Sequence, residues 1–218
     1  MSLIVRFVFI GEGTSDAGLV IPLTQLCKLC GADDAKEILL PLHQLGPEVG
    51  HSIHSKARVV LSQASNADIL FIHRDADARD ATPRYKEIAT AMASLGHLMD
   101  YVAVVPIQET EAWLLLDEKA IREVAENQAG RMPLNLPSPK QVETIANPKE
   151  RLKEVLAKAS GFKGRRLKRF RQNFSRHRRE LLEMLDCEGP VSKVPAFKRL
   201  VDDISHAIEK LKRRAANN

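Results

Sequence analysis

The segment His73-Arg74-Asp75-Ala76-Asp77-Ala78-Arg79-Asp80 places three carboxylates within six residues, directly after the apolar run Ile69-Leu70-Phe71-Ile72. A second acid, Glu12, follows another apolar run, Leu3 to Ile10, inside the turn Gly11-Glu12-Gly13. Glu109 and Glu111 stand two apart after a third run, Tyr101 to Ile107. Alternate side chains of an extended segment face the same way, so Asp75 and Asp77 are expected to address one ion together. Carboxylates gathered in one place repel one another unless a cation joins them. All-oxygen donors suit Mg²⁺ or Mn²⁺. The expected chemistry is a divalent ion, held by donors drawn from Glu12, Asp75, Asp77, Asp80, Glu109 and Glu111, acting on a phosphate ester. The plainer role for the aspartates is helix capping in a polar loop. For Glu109 and Glu111 it is service as helix N-terminal carboxylates favoured by the dipole.

The elements needed to position these acids are legible in the apolar pattern. Leu3 to Ile10 is apolar at both parities, which fits a strand buried on both faces, as in a parallel sheet. Helix follows, with Leu19, Leu23, Leu26, Cys27 and Cys30 on one face and Gly31 as its stop. Ile38 to Leu42 is the expected second strand, Lys56 to Ser65 a helix, and Ala67 to Ile72 the third strand. Pro83 to Leu95 is the next helix and Tyr101 to Ile107 the fourth strand. The predicted fold class is α/β: a mostly parallel four-stranded sheet flanked by helices, with a basic helical C-terminal region. In such sheets ligands bind outside the carboxyl ends of the strands, where these acids fall. The expected division is an α/β domain over 1–126, an Asn/Pro-rich hinge over 127–148 and a basic helical region over 149–218.

Charge separates the same regions. Residues 1–150 carry a net −6 and residues 151–218 a net +11. An acidic front beside a strongly basic back suggests a site next to a polyanion-binding surface. Between Gly161 and Arg179 lie nine cations and no acid: Lys163, Arg165, Arg166, Lys168, Arg169, Arg171, Arg176, Arg178 and Arg179. Arginine pairs bidentately with phosphate, so these are the candidate nucleic-acid-binding residues, for DNA or RNA. Phe170 and Phe174 are four apart and read as core. Pro195-Ala196-Phe197 opens a last amphipathic helix, and the tail from Lys212 is expected to fray.

Other motifs carry less. Cys27-Lys28-Leu29-Cys30 lacks a second ligand pair with zinc spacing and reads as core packing. His43, His51 and His54 match no common ligand pattern. Gly11-Glu12-Gly13 is neither a dinucleotide fingerprint nor a phosphate loop, because Asp16 stands where a third glycine belongs and no Gly-Lys-Ser/Thr follows. No apolar run reaches the length of a membrane span, no signal-peptide pattern is present, and three cysteines make no disulfide framework. The expectation is a cytoplasmic protein with no membrane partner.

Glutamate in a Gly-Glu-Gly turn after the first strand, followed by Asp75-Ala76-Asp77 after the third, resembles the Toprim domain of topoisomerases, primases, recombination proteins and related nucleases. The resemblance covers about residues 1–120. More narrowly, the chain is similar to small Toprim-related bacterial proteins, some associated with phage defence. The similar pieces are Glu12 to Asp16, Asp75 to Asp77, Ile107 to Asp117, Asn147 to Leu152 and Pro195 to Ile204. The resemblance implies a Toprim/Rossmann-like sheet, Glu12 as general acid/base, and Asp75 and Asp77 as ligands of Mg²⁺ or Mn²⁺. It also implies a metal-dependent nuclease with a possible partner protein from a defence system. Neither Tyr85 nor Tyr101 stands out as a covalent nucleophile, so hydrolysis is preferred to transesterification. The alternatives are a small-substrate nucleotide phosphohydrolase, and a non-catalytic nucleic-acid-binding or toxin-antitoxin component.

Overall fold

The computed structural model describes residues 2–40, 52–96 and 99–217. Four strands, β1 (Ile4–Ile10), β2 (Asp34–Glu37), β3 (Ile69–His73) and β4 (Asp100–Val104), form one all-parallel sheet in the order β2-β1-β3-β4. β1 and β3 are the central pair, and all five residues of β3 are buried. Burial on both faces explains the continuous apolar run of β3, whereas β1 is buried on both faces only in its second half, with Ile4 and Arg6 exposed.

The sheet divides two apolar layers. On one face Val8, Ile10, Leu70, Ile72 and Ala103 pack against α2 (Ile53–Gln63) and α3 (Thr82–Ser94). On the other, Val5, Phe7, Ile69, Phe71, Val102 and Val104 pack against α1 (Val20–Leu29) and the C-terminal helices. The chain leaves β1 toward β2 on one side and returns to β3 on the other, with α1 and α2 on opposite faces. The strand order therefore reverses between β1 and β3, and a crevice opens there at the carboxyl edge.

Two strands differ from expectation. β2 lies at Asp34–Glu37 and not at Ile38 to Leu42, of which 41 and 42 fall outside the described residues. It is a short edge strand with only Ala35 buried, so its polar composition hides it from a hydrophobic search. β4 stops at Val104, before Pro106, which has no amide to give to a ladder.

The remaining helices are α4 (Glu111–Leu114), α5 (Glu118–Val124), α6 (Pro148–Ser160), α7 (Gly164–Gln172), α8 (Phe174–Glu183) and α9 (Pro195–Ala216). They share a core with the sheet. Leu134 and Val142 from the 127–148 segment join it, as do Leu181, Leu182, Phe197 and Ile204. The Trp113 and Phe197 rings meet edge to face at 5.2 Å, locking α4 to α9. α8 packs closely on the 3-10 turn Thr14–Leu19. Gly18 permits this: a Cβ there would stand 2.8 Å from Leu182 Cβ and 3.0 Å from the Arg179 carbonyl. The tail is ordered, not frayed, through Ala216, because Asp100 at the start of β4 takes both Lys210 and Arg214. Cys27 is buried in the core, where burial pushes its thiol up to about 12. No helix of the described residues is long and apolar enough to cross a membrane.

Candidate functional site

β1 and β3 are hydrogen-bonded neighbours with Ile10 opposite Ile72, so Glu12 and the Asp75-Ala76-Asp77 segment leave the sheet side by side. Pairing continues past the strand ends. The Arg74, Ala76 and Asp77 amides donate to the Val104, Pro106 and Gln108 carbonyls, and the Gln108 amide donates back to Ala78. This ribbon fixes the acidic segment against the 105–108 strand extension. Asp77 has φ 52 and Gln108 φ 60, both left-handed, a region that aspartate tolerates better than most residues. Extended alternation therefore ends at Asp77. Asp75 and Asp77 consequently take different partners.

Asp75 turns inward. Its Oδ1 accepts from the Thr110 amide at 2.9 Å and the Thr110 hydroxyl at 2.8 Å. Asp77 is exposed and accepts from Arg84 at 2.8 Å. Glu12, about one-third exposed, lies 2.9 Å from Arg74 Nε, a charge contact and not an aligned hydrogen bond. Glu12 and Asp77 share a cleft of about 200 Å³ with Lys56, Arg74 and His73. Lys56 donates to the Gly11 carbonyl at 2.8 Å, and burial holds its pKa below the usual lysine value. Burial first, then the Asp75 charge and more weakly Asp77, hold the Glu12 carboxyl above the ordinary glutamate range, against Arg74 and His73. Glu12, Asp75 and Asp77 thus form one electrostatic group.

Beneath them lies a buried network. His73, 1% exposed, donates from Nδ1 to the Val104 carbonyl at 3.1 Å, since a carbonyl can only accept. Its Nε2 faces Thr110 Oγ1 at 3.3 Å, Asp75 at 3.6 Å and Asp16 at 4.0 Å. Arg178 reaches in from α8 and bridges two carboxylates at 2.9 Å each, Glu111 through Nε and Asp16 through Nη1. Asp16 also accepts from the Gly13 amide at 2.9 Å, closing the turn that carries Glu12. Burial opposes ionisation of Asp16, yet His73, the Gly13 amide and Arg178 together hold its carboxyl below the usual range. Burial dominates at Glu111 and raises its carboxyl despite Arg178.

The six acids expected as metal donors therefore separate. Glu12 and Asp77 share the cleft at the sheet edge, and Asp75 lies beside it, turned inward onto Thr110. Asp80 instead accepts from the Thr82 amide at the start of α3, and the Thr82 hydroxyl first, then its amide, lower the Asp80 pKa. Glu109 accepts from the Lys149 amide at 2.9 Å in the first turn of α6, where the helix dipole favours it. Glu111 is committed to Arg178. The hard oxygen donors Glu12, Asp75 and Asp77 fit a divalent ion in kind and in neighbourhood. Among the described residues, however, no three His, Cys, Asp or Glu side chains are already closed around a metal-sized point. An ion would have to draw Glu12 from Arg74 and Asp77 from Arg84.

Of the nine cations expected to contact nucleic acid, eight are exposed. Arg178 is the exception. It is 5% exposed and spent on Asp16 and Glu111, so it belongs to the interior and not to the basic face. His54 lies on α2, while His43 and His51 fall outside the described residues. Asp16, Lys56, His73, Arg74, Arg84 and Thr110 were not predicted as site residues, and Arg178 was predicted only as a nucleic-acid contact. For Arg178 a signal existed: it shares a helical face with Leu181 and Leu182. Thr110 offered none.

The family model described as a domain of unknown function (DUF4276) matches residues 28–205, most of the chain. The chain belongs to that family. The match includes Asp75, Asp77, Thr110, Glu111 and Arg178, and begins after Glu12 and Asp16. Comparison with curated proteins and with solved structures returned no match.

Proposed function

We propose that this DUF4276 chain is a divalent-metal-dependent phosphodiester hydrolase acting on nucleic acid, of Toprim type, with phage defence as the setting its sequence resemblance suggests. One observation carries the reading: Glu12 and the Asp75/Asp77 pair emerge from adjacent parallel strands at the point where strand order reverses, close enough to raise the proton affinity of Glu12. Glu12, Asp75 and Asp77 would hold Mg²⁺ or Mn²⁺. The ion would neutralise charge on the phosphate and lower the pKa of a bound water. Thr110 holds Asp75 in a fixed orientation through two hydrogen bonds. Arg74 and Arg84 would transfer their charge from carboxylates to phosphate oxygens when substrate enters, and Lys56, held on the Gly11 carbonyl, would add its own. Glu12, with its carboxyl held above the ordinary range, suits proton exchange with the attacking water.

The test is cleavage of single- and double-stranded DNA and RNA by the full chain with Mg²⁺ or Mn²⁺. Asp75→Asn should slow cutting by roughly 10²-fold or more, the scale on which such groups act. Equal cutting by wild type and variant, or no cutting of any substrate, would end this reading.

A second reading has its own support. Arg74 sits on Glu12, Arg84 on Asp77 and Arg178 on Asp16 and Glu111, so arginines already balance much of the acid cluster. In that case the chain binds nucleic acid without cutting it. Its binding would then weaken with salt and survive Glu12→Gln unchanged.

A further inference from the structure

A groove of about 650 Å³ opens between α7, α8 and the end of α5. Phe162, Arg165, Arg166, Arg169, Arg176 and His177 line it, and Glu123, Glu126 and Glu180 stand at its walls. The acids matter because they remove two of the arginines. Arg166 contacts Glu126 at 3.3 Å and lies over the Phe162 ring, 3.6 Å from its centroid. Arg176 is tied to Glu180 at 2.7 Å. Arg165 and Arg169, one helical turn apart, have neither ion pair nor hydrogen bond from their side chains among the described residues. Positive charge available to a ligand is therefore concentrated between these two.

The floor supplies a second, independent observation. His177 is only 7% exposed and stacks on Phe170 with centroids 4.1 Å apart. Neither ring nitrogen has a hydrogen-bond partner among the described residues. The ring nitrogens are not sealed from solvent, so a ligand entering the groove can reach them. Burial lowers the His177 pKa, which favours the neutral ring with a single N–H to donate. An unpartnered donor in a groove that two unpaired guanidinium groups also line matches a tetrahedral oxyanion. Phe162 and Phe170 meet edge to face at 5.5 Å and form an apolar wall beside it. An anion with an attached flat or sugar-like group suits that combination better than a bare ion.

We propose that this groove grips a backbone phosphate of a single nucleic-acid strand, with Arg165 and Arg169 on the phosphate oxygens and the His177 imidazole donating to one of them. The site gives the strand one fixed foothold on a face whose other cations act diffusely. It rests on the hydrolase reading only for naming nucleic acid as the ligand, and its test runs without metal or turnover.

The experiment uses the full chain in EDTA with a short fluorescein-labelled single-stranded DNA oligonucleotide, read by anisotropy. The His177 ring signal is followed by ¹H–¹³C NMR and assigned by its loss in His177→Gln. Arg165→Gln with Arg169→Gln should weaken binding about tenfold or more, because bidentate charged contacts are lost. The charge-matched pair Lys168→Gln with Arg171→Gln should weaken it by less than about threefold, the effect of diffuse screening alone. The His177 signal should move on adding oligonucleotide and move less in the Arg165/Arg169 variant. Equal losses in the two double variants, an unmoved His177 signal, or no oligonucleotide binding would each overturn the proposal. So would a His177 signal that responds to inorganic phosphate but not to the strand. If this pattern holds while no cleavage is found, only the hydrolase reading falls.

Discussion

Replacing Arg178 by methionine tests how the basic helices are tied to the sheet edge. The side chains of Arg178, Asp16 and Glu111 are 7%, 6% and 3% exposed, and the guanidinium contacts both acids at 2.9 Å. Arg178→Met keeps the unbranched stem of the side chain and leaves two buried carboxylates without their cation. Removing one partner of a buried pair costs about 3–5 kcal/mol. For a chain of this size that is a fall in melting temperature of ~10 °C. The deficit must depend on pH. In the native chain the Asp16 carboxyl is held below its ordinary range, so its contribution is present above that range and is lost as pH falls through the folded value. Without Arg178, burial weighs more heavily on both acids. A carboxyl raised in the folded state contributes stability at low pH that is lost as pH rises through the folded value. The variant's deficit is therefore largest near neutrality and shrinks below about pH 5, as the acids take up protons. Urea unfolding followed by far-UV circular dichroism at both pH values reads this directly. Adding Asp16→Asn and Glu111→Gln to Arg178→Met should restore most of the loss at neutral pH, since no buried charge remains. A deficit under about 1 kcal/mol, or one independent of pH, would refute the buried bridge.

Three further outcomes follow from the packing. Gly18→Ala drives a methyl into Leu182 and the Arg179 carbonyl; the expected loss is about 1–3 kcal/mol, read by the same unfolding experiment, and a neutral result would mean α8 does not lie so close. Phe197→Ala should cost about 3–5 kcal/mol and shift the emission of Trp113, the sole tryptophan, to the red; unchanged emission would argue against the α4–α9 contact. Asp100→Asn removes the ion partner of Lys210 and Arg214, so amide exchange in the last turns of α9 should accelerate while global stability falls by less than about 1 kcal/mol.

The sequence reveals those parts of the molecule whose physics is local. β3 and the second half of β1 are legible because burial on both faces requires continuous apolar residues, and the acids after them are legible because strand ends point to one edge. β2 is not, because an edge strand built from Asp34-Ala35-Lys36-Glu37 needs one buried alanine and backbone pairing, neither of which leaves a hydrophobic pattern. The order of the α9 tail depends on Asp100, over a hundred residues away. Arg178 counts as one cation among nine until its helical face is compared with Leu181 and Leu182. The partners of Glu12 and Asp77 are likewise settled by tertiary placement: Arg74 is a neighbour in sequence of Asp75 yet sits on Glu12, because β1 and β3 are adjacent.

The claim on which the functional account rests is that Glu12, Asp75 and Asp77 form a single cation site. Electron paramagnetic resonance of Mn²⁺ titrated into the full chain measures it without any assumption about substrate. The account predicts one bound ion per chain, displaced by Mg²⁺, lost in Asp75→Asn and Asp77→Asn, and retained in Arg165→Gln with Arg169→Gln. Absence of binding, or binding untouched by the two aspartate substitutions, would contradict it.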